Sequence, residues 1–295
     1  MNYSPPIKRV RLSLQGLLQG IGFRPFVYKL AHEIGLTGWV QNSPQGVAIE
    51  VEGDCEALEE FLQRLQKESP LDTVFQYAKS VYLEPSGYED FRIKDSDNSG
   101  DQTTTISPDI ATCANCLQEI FDPSNRRHLY PFTNCTHSGP RFSIIESLPY
   151  DRHHTSMKRF QMCVVCQCEY DNPKDRRFHA QPNACPDCGP QMELWDSVGS
   201  SIKLDVIEKT VEALKDGAIL AVKGLGGFHL MVNACDDQAV QRLRNRKHRA
   251  EKPFALMFCN LESVERACVF SGLEKQMLVS PEAPIVLLKR KSDED

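Results

Sequence analysis

Residues 9–16, RVRLSLQG, alternate apolar and polar side chains, the period-two signature of a strand with one buried face. A helical period follows. Phe26, Val27, Leu30, Ala31 and Ile34 share one stripe, Pro25 suits the first turn, and Gly35 is placed to end the helix. LTGWVQN and GVAIEVEG read as a hairpin around SPQG. Leu58, Phe61, Leu62 and Leu65 repeat at i, i+3, i+4, i+7 behind Asp54, which is placed to cap that helix. TVFQYAKSVYL and FRIKD supply further strands. The order βαββαβ over residues 1–94 predicts a split-βαβ, ferredoxin-like sandwich of an antiparallel sheet and two helices.

The pattern then lapses. DSDNSGDQTTTISPD (95–109) is polar, and the stretch 95–112 reads as a linker; DSVGSS (196–201) is a second boundary. From 200 to 295 the periods return. Val206, Ile207, Val211 and Leu214 form a helical stripe, AILAVKG a buried strand, and Gly224, Gly226 and Gly227 a turn. Asp236 or Asp237 can cap a helix carrying Val240 and Leu243, and KPFALMF reads as a further strand. The fold class expected is α+β with several domains.

Composition changes this picture little, except at cysteine. Hydrophobic residues make up 41% and charged residues 25%, ordinary for a globular protein. A net charge of -6 argues against wholesale nucleic-acid binding. MNYSPPIKRVRLSLQG has no apolar signal-peptide core, and no stretch reads as a membrane span, so the expected location is the cytoplasm. Thiols stay reduced there, so twelve cysteines point to metal rather than disulfides.

Eight of the twelve fall in 113–188. Cys113 and Cys116 are matched fifty residues later by Cys163 and Cys166, and Cys135 by Cys185. Glu119/Glu169, Pro123/Pro173, Arg126/Arg176, Arg127/Arg177, Gly139/Gly189 and Pro140/Pro190 keep the same offset. The duplicated unit, 113–195, has the spacing of tandem zinc-ribbon-like fingers. The second would hold one zinc ion through Cys163, Cys166, Cys185 and Cys188. In the first, Ser138 stands opposite Cys188, and a hydroxyl is a poor zinc ligand beside thiolates. Either His137 completes a weaker site with Cys113, Cys116 and Cys135, or that site is empty. Cys168 has no repeat partner and reads as a spare thiol. NRRHLYP and KDRRFHA each carry two arginines, which read as a solvated face.

Two other segments suggest anion chemistry. GLLQGIGFR (16–24) places a glycine-rich loop between a strand and a helix N-terminus, where backbone N–H groups converge and the helix dipole favours negative charge. Arg24 adds a bidentate fork. The bland reading is a tight turn with a surface arginine. Further on, Arg242, Arg244, Arg246, Lys247, Arg249 and Lys252 surround a single acid, Glu251. They read as a phosphate grip or as a solvated helix end.

GLLQGIGFRPFVYKLAHEIGLTGWVQN resembles the acylphosphatase signature, a resemblance that covers about 7–94. It implies a phosphate loop of Gln19, Gly20, Ile21, Gly22 and Phe23, phosphoryl binding by Arg24, and a water oriented by Asn42. VKGLGGFHL with RKHRAEKPFALMF resembles the YrdC-like, adenylate-forming fold. That implies nucleotide contacts from Lys223, Lys247, Arg249 and Lys252, with ATP as substrate and magnesium as its companion. The whole order resembles the N-terminal part of the HypF-type carbamoyltransferases of nickel–iron hydrogenase maturation. Their chemistry implies carbamoyl phosphate hydrolysed to carbamate, carbamoyl-adenylate formed from ATP, and transfer to the partner protein HypE. The chain stops inside the YrdC-like unit, so a truncated or partial chain is expected. The competing class is an RNA- or protein-binding zinc module with an inert acylphosphatase-like fold.

Overall fold

The structure is a computed structural model and describes residues 6–70, 73–202 and 205–291. The chain divides into two compact units, Met1–Pro190 and Gln191–Asp295.

The first unit begins with the expected sandwich. Strand β1 (Lys8–Leu17) is followed by helix α1 (Phe23–Ile34), β2 (Thr37–Ser43), β3 (Gly46–Gly53), helix α2 (Cys55–Lys67), β4 (Val74–Leu83) and a short β5 (Phe91–Ile93). The sheet order is β4-β1-β3-β2-β5, antiparallel except for β5 beside β2. Alternation decides the buried face: Val10, Leu12 and Leu14 of β1 meet Val27 and Leu30 of α1 and Leu58, Phe61 and Leu65 of α2 in one core. Asp54 caps α2 by accepting from the Ala57 N–H at 2.8 Å, and Gly35 ends α1 in the left-handed region at φ 83°.

The stretch expected as a linker lies along this layer. The Asp97 N–H donates to the Asn42 carbonyl at 2.9 Å, those of Thr103 and Thr104 to the Pro44 carbonyl at 3.0 Å. Ser107 is buried, and its hydroxyl donates to the Gln19 carbonyl. Main-chain N–H groups and the Ser107 hydroxyl fasten this stretch to the sheet and loop, so it is not a solvated tether.

The cysteine repeat folds as two copies of one plan. Helices α3 (Ala114–Phe121) and α4 (Val164–Asp171) each start just after the first cysteine of a finger. Each is followed by a residue with left-handed backbone, Leu129 at φ 55° and His179 at φ 54°, fifty positions apart. The arginine runs are not a solvated face. Arg126 and Arg127 of the first copy pair with Glu169 of the second at 3.1 and 2.5 Å. Arg176 pairs with Glu119 of the first copy at 2.7 Å, and Arg177 joins it. Arg127 and Arg177 are 2% and 3% exposed. Each also donates through Nε to a carbonyl of the opposite copy, Ala184 at 2.9 Å and Asn134 at 3.0 Å. A buried guanidinium needs both a counter-charge and acceptors, and each copy finds both in the other.

In the second unit, β6 (Leu194–Trp195) pairs with β7 (Ser201–Ile202), and helix α5 (Val206–Lys215) follows. Strands β8 (Leu220–Lys223) and β9 (Phe228–Met231) form an antiparallel hairpin, closed by the Gly224 N–H on the Gly227 carbonyl at 2.7 Å. Helix α6 (Asp237–Lys247) is capped by Asp236, which accepts from the Ala239 N–H at 3.0 Å. KPFALMF is not a strand. No ladder partner faces it among the described residues, and Leu256 and Met257 are exposed. No described helix is long and apolar enough to cross a membrane.

Candidate functional site

The loop between β1 and α1 turns on two glycines and opens a helix. Gly20 and Gly22 take φ 86° and 79°, a left-handed conformation that costs glycine least. Helix α1 begins at Phe23, so its first-turn N–H groups have no acceptor within the helix. Side chains hold the loop in place. Ile21 and Phe23 are in the core. Gln19 donates to the Ser43 and Gly46 carbonyls at 2.7 and 3.0 Å, tying the loop to the β2–β3 turn, and accepts from the Tyr150 N–H at 2.8 Å.

Arg24 is 8% exposed, and Asn42, opposite it on β2, is 1% exposed. The hydrogen bonding assigns the Asn42 amide oxygen to the Arg24 side, where it accepts from Nε at 3.1 Å and Nη2 at 3.2 Å. Arg24 Nη2 also donates to the Tyr150 carbonyl at 3.2 Å and pairs with Asp151 Oδ1 at 2.6 Å. Arg24 Nη1 donates to the Ser96 hydroxyl at 3.4 Å, and Ser96 in turn donates to Asp151 Oδ2. Pattern reading along the chain finds neither Ser96 nor Asp151, because both reach Arg24 only through the fold.

Finger residues form the other wall of a cleft of about 30 Å³, room for one or two waters. Arg141 donates to the Gly20 carbonyl and, through Nη2, to the Cys135 and Thr136 carbonyls at 3.1 and 2.9 Å. A Cβ on Gly20 would lie 3.1 Å from Arg141 Cδ, and one on Gly22 3.3 Å from Thr136 Cβ, so finger and loop are in close contact. His179 lines the cleft. Burial, helped by the Arg24 charge, pushes its pKa down to about 4, so its imidazole is neutral near pH 7. Arg141 had one visible signal: it follows Gly139 and Pro140, where the repeat carries Gln191 after Gly189 and Pro190.

The metal candidates can be tested against geometry. A zinc ion with four thiolates at about 2.3 Å requires S···S edges of about 3.8 Å. Sγ separations are 3.8 Å for Cys163–Cys185, 3.7 Å for Cys185–Cys188 and 3.6 Å for Cys166–Cys188. The four therefore fit zinc. In the first finger Cys113, Cys116 and Cys135 come together, with Cys113–Cys135 at 3.8 Å. His137 does not join them. It is exposed, and only its backbone N–H reaches a ligand, Cys135 Sγ at 3.3 Å. The turn points residue 138 inward, as it does 188, and residue 137 outward. The fully buried Ser138 hydroxyl stands 3.4 Å from Cys116 Sγ and 3.5 Å from Cys135 Sγ. An oxygen ligand at about 2.0 Å sharing a zinc ion with thiolates requires about 3.5 Å. Arginines surround both clusters: Arg126 Nη2 lies 3.4 Å from both Cys163 and Cys166 Sγ, and Arg176 Nη1 3.2 Å from Cys116 Sγ. Cys168 is exposed and outside the cluster.

Of the nucleotide candidates, Lys223 ends β8 and Lys247 ends α6, both exposed. Arg249 lies over the Phe254 ring at 5.2 Å and donates to the Pro253 carbonyl at 2.7 Å, and Lys252 is exposed.

Comparison with known proteins follows the same divisions. The acylphosphatase family model matches residues 10–93, the HypF finger model matches 112–145 and 162–195, and the Sua5/YciO/YrdC model, described as telomere recombination, matches 212–295. A solved full-length HypF, in a phosphate- and nucleotide-bound form, superposes with a TM-score of 0.93 at 45% identity, over 99% of this chain and 38% of that one. The chain belongs to the HypF family. The carbamoyltransferase HypF of Synechocystis sp. is 49% identical over 287 residues, 97% of this chain and 37% of that protein. The HypF relatives are thus matched over little more than a third of their length. Within the HypF match, the acylphosphatase of Thermotoga maritima is 38% identical over 89 residues, 98% of its own length.

Proposed function

We propose that this chain is the carbamoyl-phosphate-hydrolysing part of a HypF carbamoyltransferase. The observation that supports this most is the buried Arg24 guanidinium, held by Asn42 beside a two-glycine loop at a helix N-terminus. Phosphoryl transfer needs positioned charge more than covalent catalysis. Arg24 and the loop N–H groups hold the phosphoryl oxygens. The Asn42 oxygen faces Arg24, so its N–H₂ end is the one it offers to a water. Water attacks phosphorus, the P–O bond to the acyl oxygen breaks, and its electron pair leaves with carbamate while the water's protons stay with phosphate. Carbamate is labile, and the finger wall limits its contact with solvent.

The fingers hold zinc as scaffold, through Cys163, Cys166, Cys185 and Cys188 in one, and through Cys113, Cys116, Cys135 and the Ser138 hydroxyl in the other. Zinc there supplies folding free energy and no reaction step. Lys223, Lys247, Arg249 and Lys252 contribute one wall of an ATP–magnesium site, where a carbamate oxygen attacks the α-phosphorus of ATP, pyrophosphate leaves, and carbamoyl-adenylate remains. Transfer to HypE, in the cytoplasm, belongs to the whole protein.

Phosphate release from carbamoyl phosphate by the purified chain tests the reading. Arg24→Ala should slow it about 100- to 1,000-fold. Equal rates for wild type and variant would leave the inert binding module as the better account.

A further inference from the structure

Each nitrogen of the Arg24 fork has a protein partner. Its Nε–H goes to Asn42, Nη1 reaches Ser96, and Nη2 serves Asn42, the Tyr150 carbonyl and Asp151. A phosphoryl group bound bidentately needs two of these donors. Asn42 and Tyr150 offer neutral oxygens, which can share a guanidinium with an incoming anion. Asp151 is different. Its carboxylate contributes an oxygen at 2.6 Å, the distance of a charge-assisted bond, and is itself an anion. Two anions on one buried guanidinium repel strongly. Both side chains are mostly buried, at 9% and 11% exposed, so water screens the pair poorly.

We propose that Asp151 holds the Arg24 donor that a phosphoryl group takes, and is exchanged for that group on the guanidinium at each turnover. The inference rests on the phosphoryl role of Arg24 given above. Asp151 is suited to the exchange. It lies outside regular structure, just before the short 3-10 turn Arg152–His154, so its side chain can swing without breaking a ladder. Its second oxygen takes the Ser96 hydroxyl, which holds the carboxylate against the fork. The resident carboxylate keeps the buried guanidinium paired, which avoids a stranded charge. It also makes product departure an exchange of anions rather than the uncovering of a bare cation. Phosphate affinity is set, on this account, by the difference between two anions competing for one fork.

Inorganic phosphate binding to the full 295-residue chain, followed by calorimetry, tests the exchange. Asp151→Asn keeps the size and removes the charge, and should tighten phosphate at least about tenfold. Ser96→Ala, which frees the carboxylate without removing it, should tighten it about two- to threefold and serves if Asp151→Asn does not fold. Weaker or unchanged phosphate binding in the folded variants would overturn the proposal and make Asp151 a support for Arg24. The two readings fail separately. Tighter phosphate in Asp151→Asn without carbamoyl phosphate hydrolysis by wild type would keep the exchange and sink the hydrolysis. Wild-type phosphate affinity in Arg24→Ala would remove the subsite itself and overturn the exchange with it.

Discussion

Finger one sets the Ser138 hydroxyl beside its three thiols where finger two has the Cys188 thiol, and the surroundings of the two clusters are nearly the same. Both have a cysteine just before a short helix, a left-handed residue before the third ligand, and a glutamate gripped by two arginines from the other copy. The Ser138 oxygen stands 3.4–3.5 Å from two thiols, the separation that a shared zinc ion would set. The fold, rather than the identity of the fourth side chain, therefore places this position. Backbone turns and the crossed arginine–glutamate clamps hold it there even when the donor is the weaker one.

The largest expected effect tests the clamps. Arg127→Ala leaves Glu169 and the Ala184 carbonyl short of a partner, and Arg177→Ala does the same to Glu119 and the Asn134 carbonyl. Breaking a buried pair from one side costs roughly 3–5 kcal/mol. Both variants should unfold at clearly lower denaturant, by similar amounts, and both should lose zinc from the opposite finger sooner under chelator. A large drop for one and none for the other would show that the fingers are not equivalent. Ser138→Cys should have a smaller effect. Completing the thiolate set should slow metal loss from the first finger about tenfold or more and bring it near the second; unchanged chelator kinetics would show that the hydroxyl is no handicap. The smallest effect separates His179 from Leu129, its counterpart fifty residues earlier. The unfolded chain takes up this proton near pH 6.5, and the folded one only near 4. The unfolded state thus binds more protons within that window, and stability falls as pH drops from about 6.5 towards 4. His179→Leu should lose less stability over that range than wild type. Parallel melting curves for the two would mean that His179 is not the group responsible.

Much of this was legible in the sequence because it rests on local patterns. Val10, Leu12 and Leu14 alternate, the α1 and α2 stripes repeat at helical spacing, and the fifty-residue offset fixes which thiols come together. The glycine loop with Arg24 and Asn42 could also be read, since strand, loop and helix are consecutive. What escaped depends on the meeting of distant segments. Ser96 and Asp151 reach Arg24 across 72 and 127 positions, and no periodicity marks them. The arginine runs read as solvated because charged residues are mostly exposed, a rule that fails where each charge finds its partner in a second copy. His137 was the chemically attractive ligand, but the turn presents residue 138 to the cluster. KPFALMF had strand composition, yet a strand also needs a neighbour to pair with.

The crossed arginines also affect how this pair of fingers can be inherited. A repeat that keeps its counter-charges within itself can be copied, lost or transplanted alone. Here the two arginines and the glutamate of each copy are neutralised by its twin, so deleting either would leave two guanidinium groups and a carboxylate stranded in the survivor. The duplication is in this sense irreversible: what began as two copies of one module has become a single hereditary unit. A graft into another protein would have to carry residues 113–188 whole.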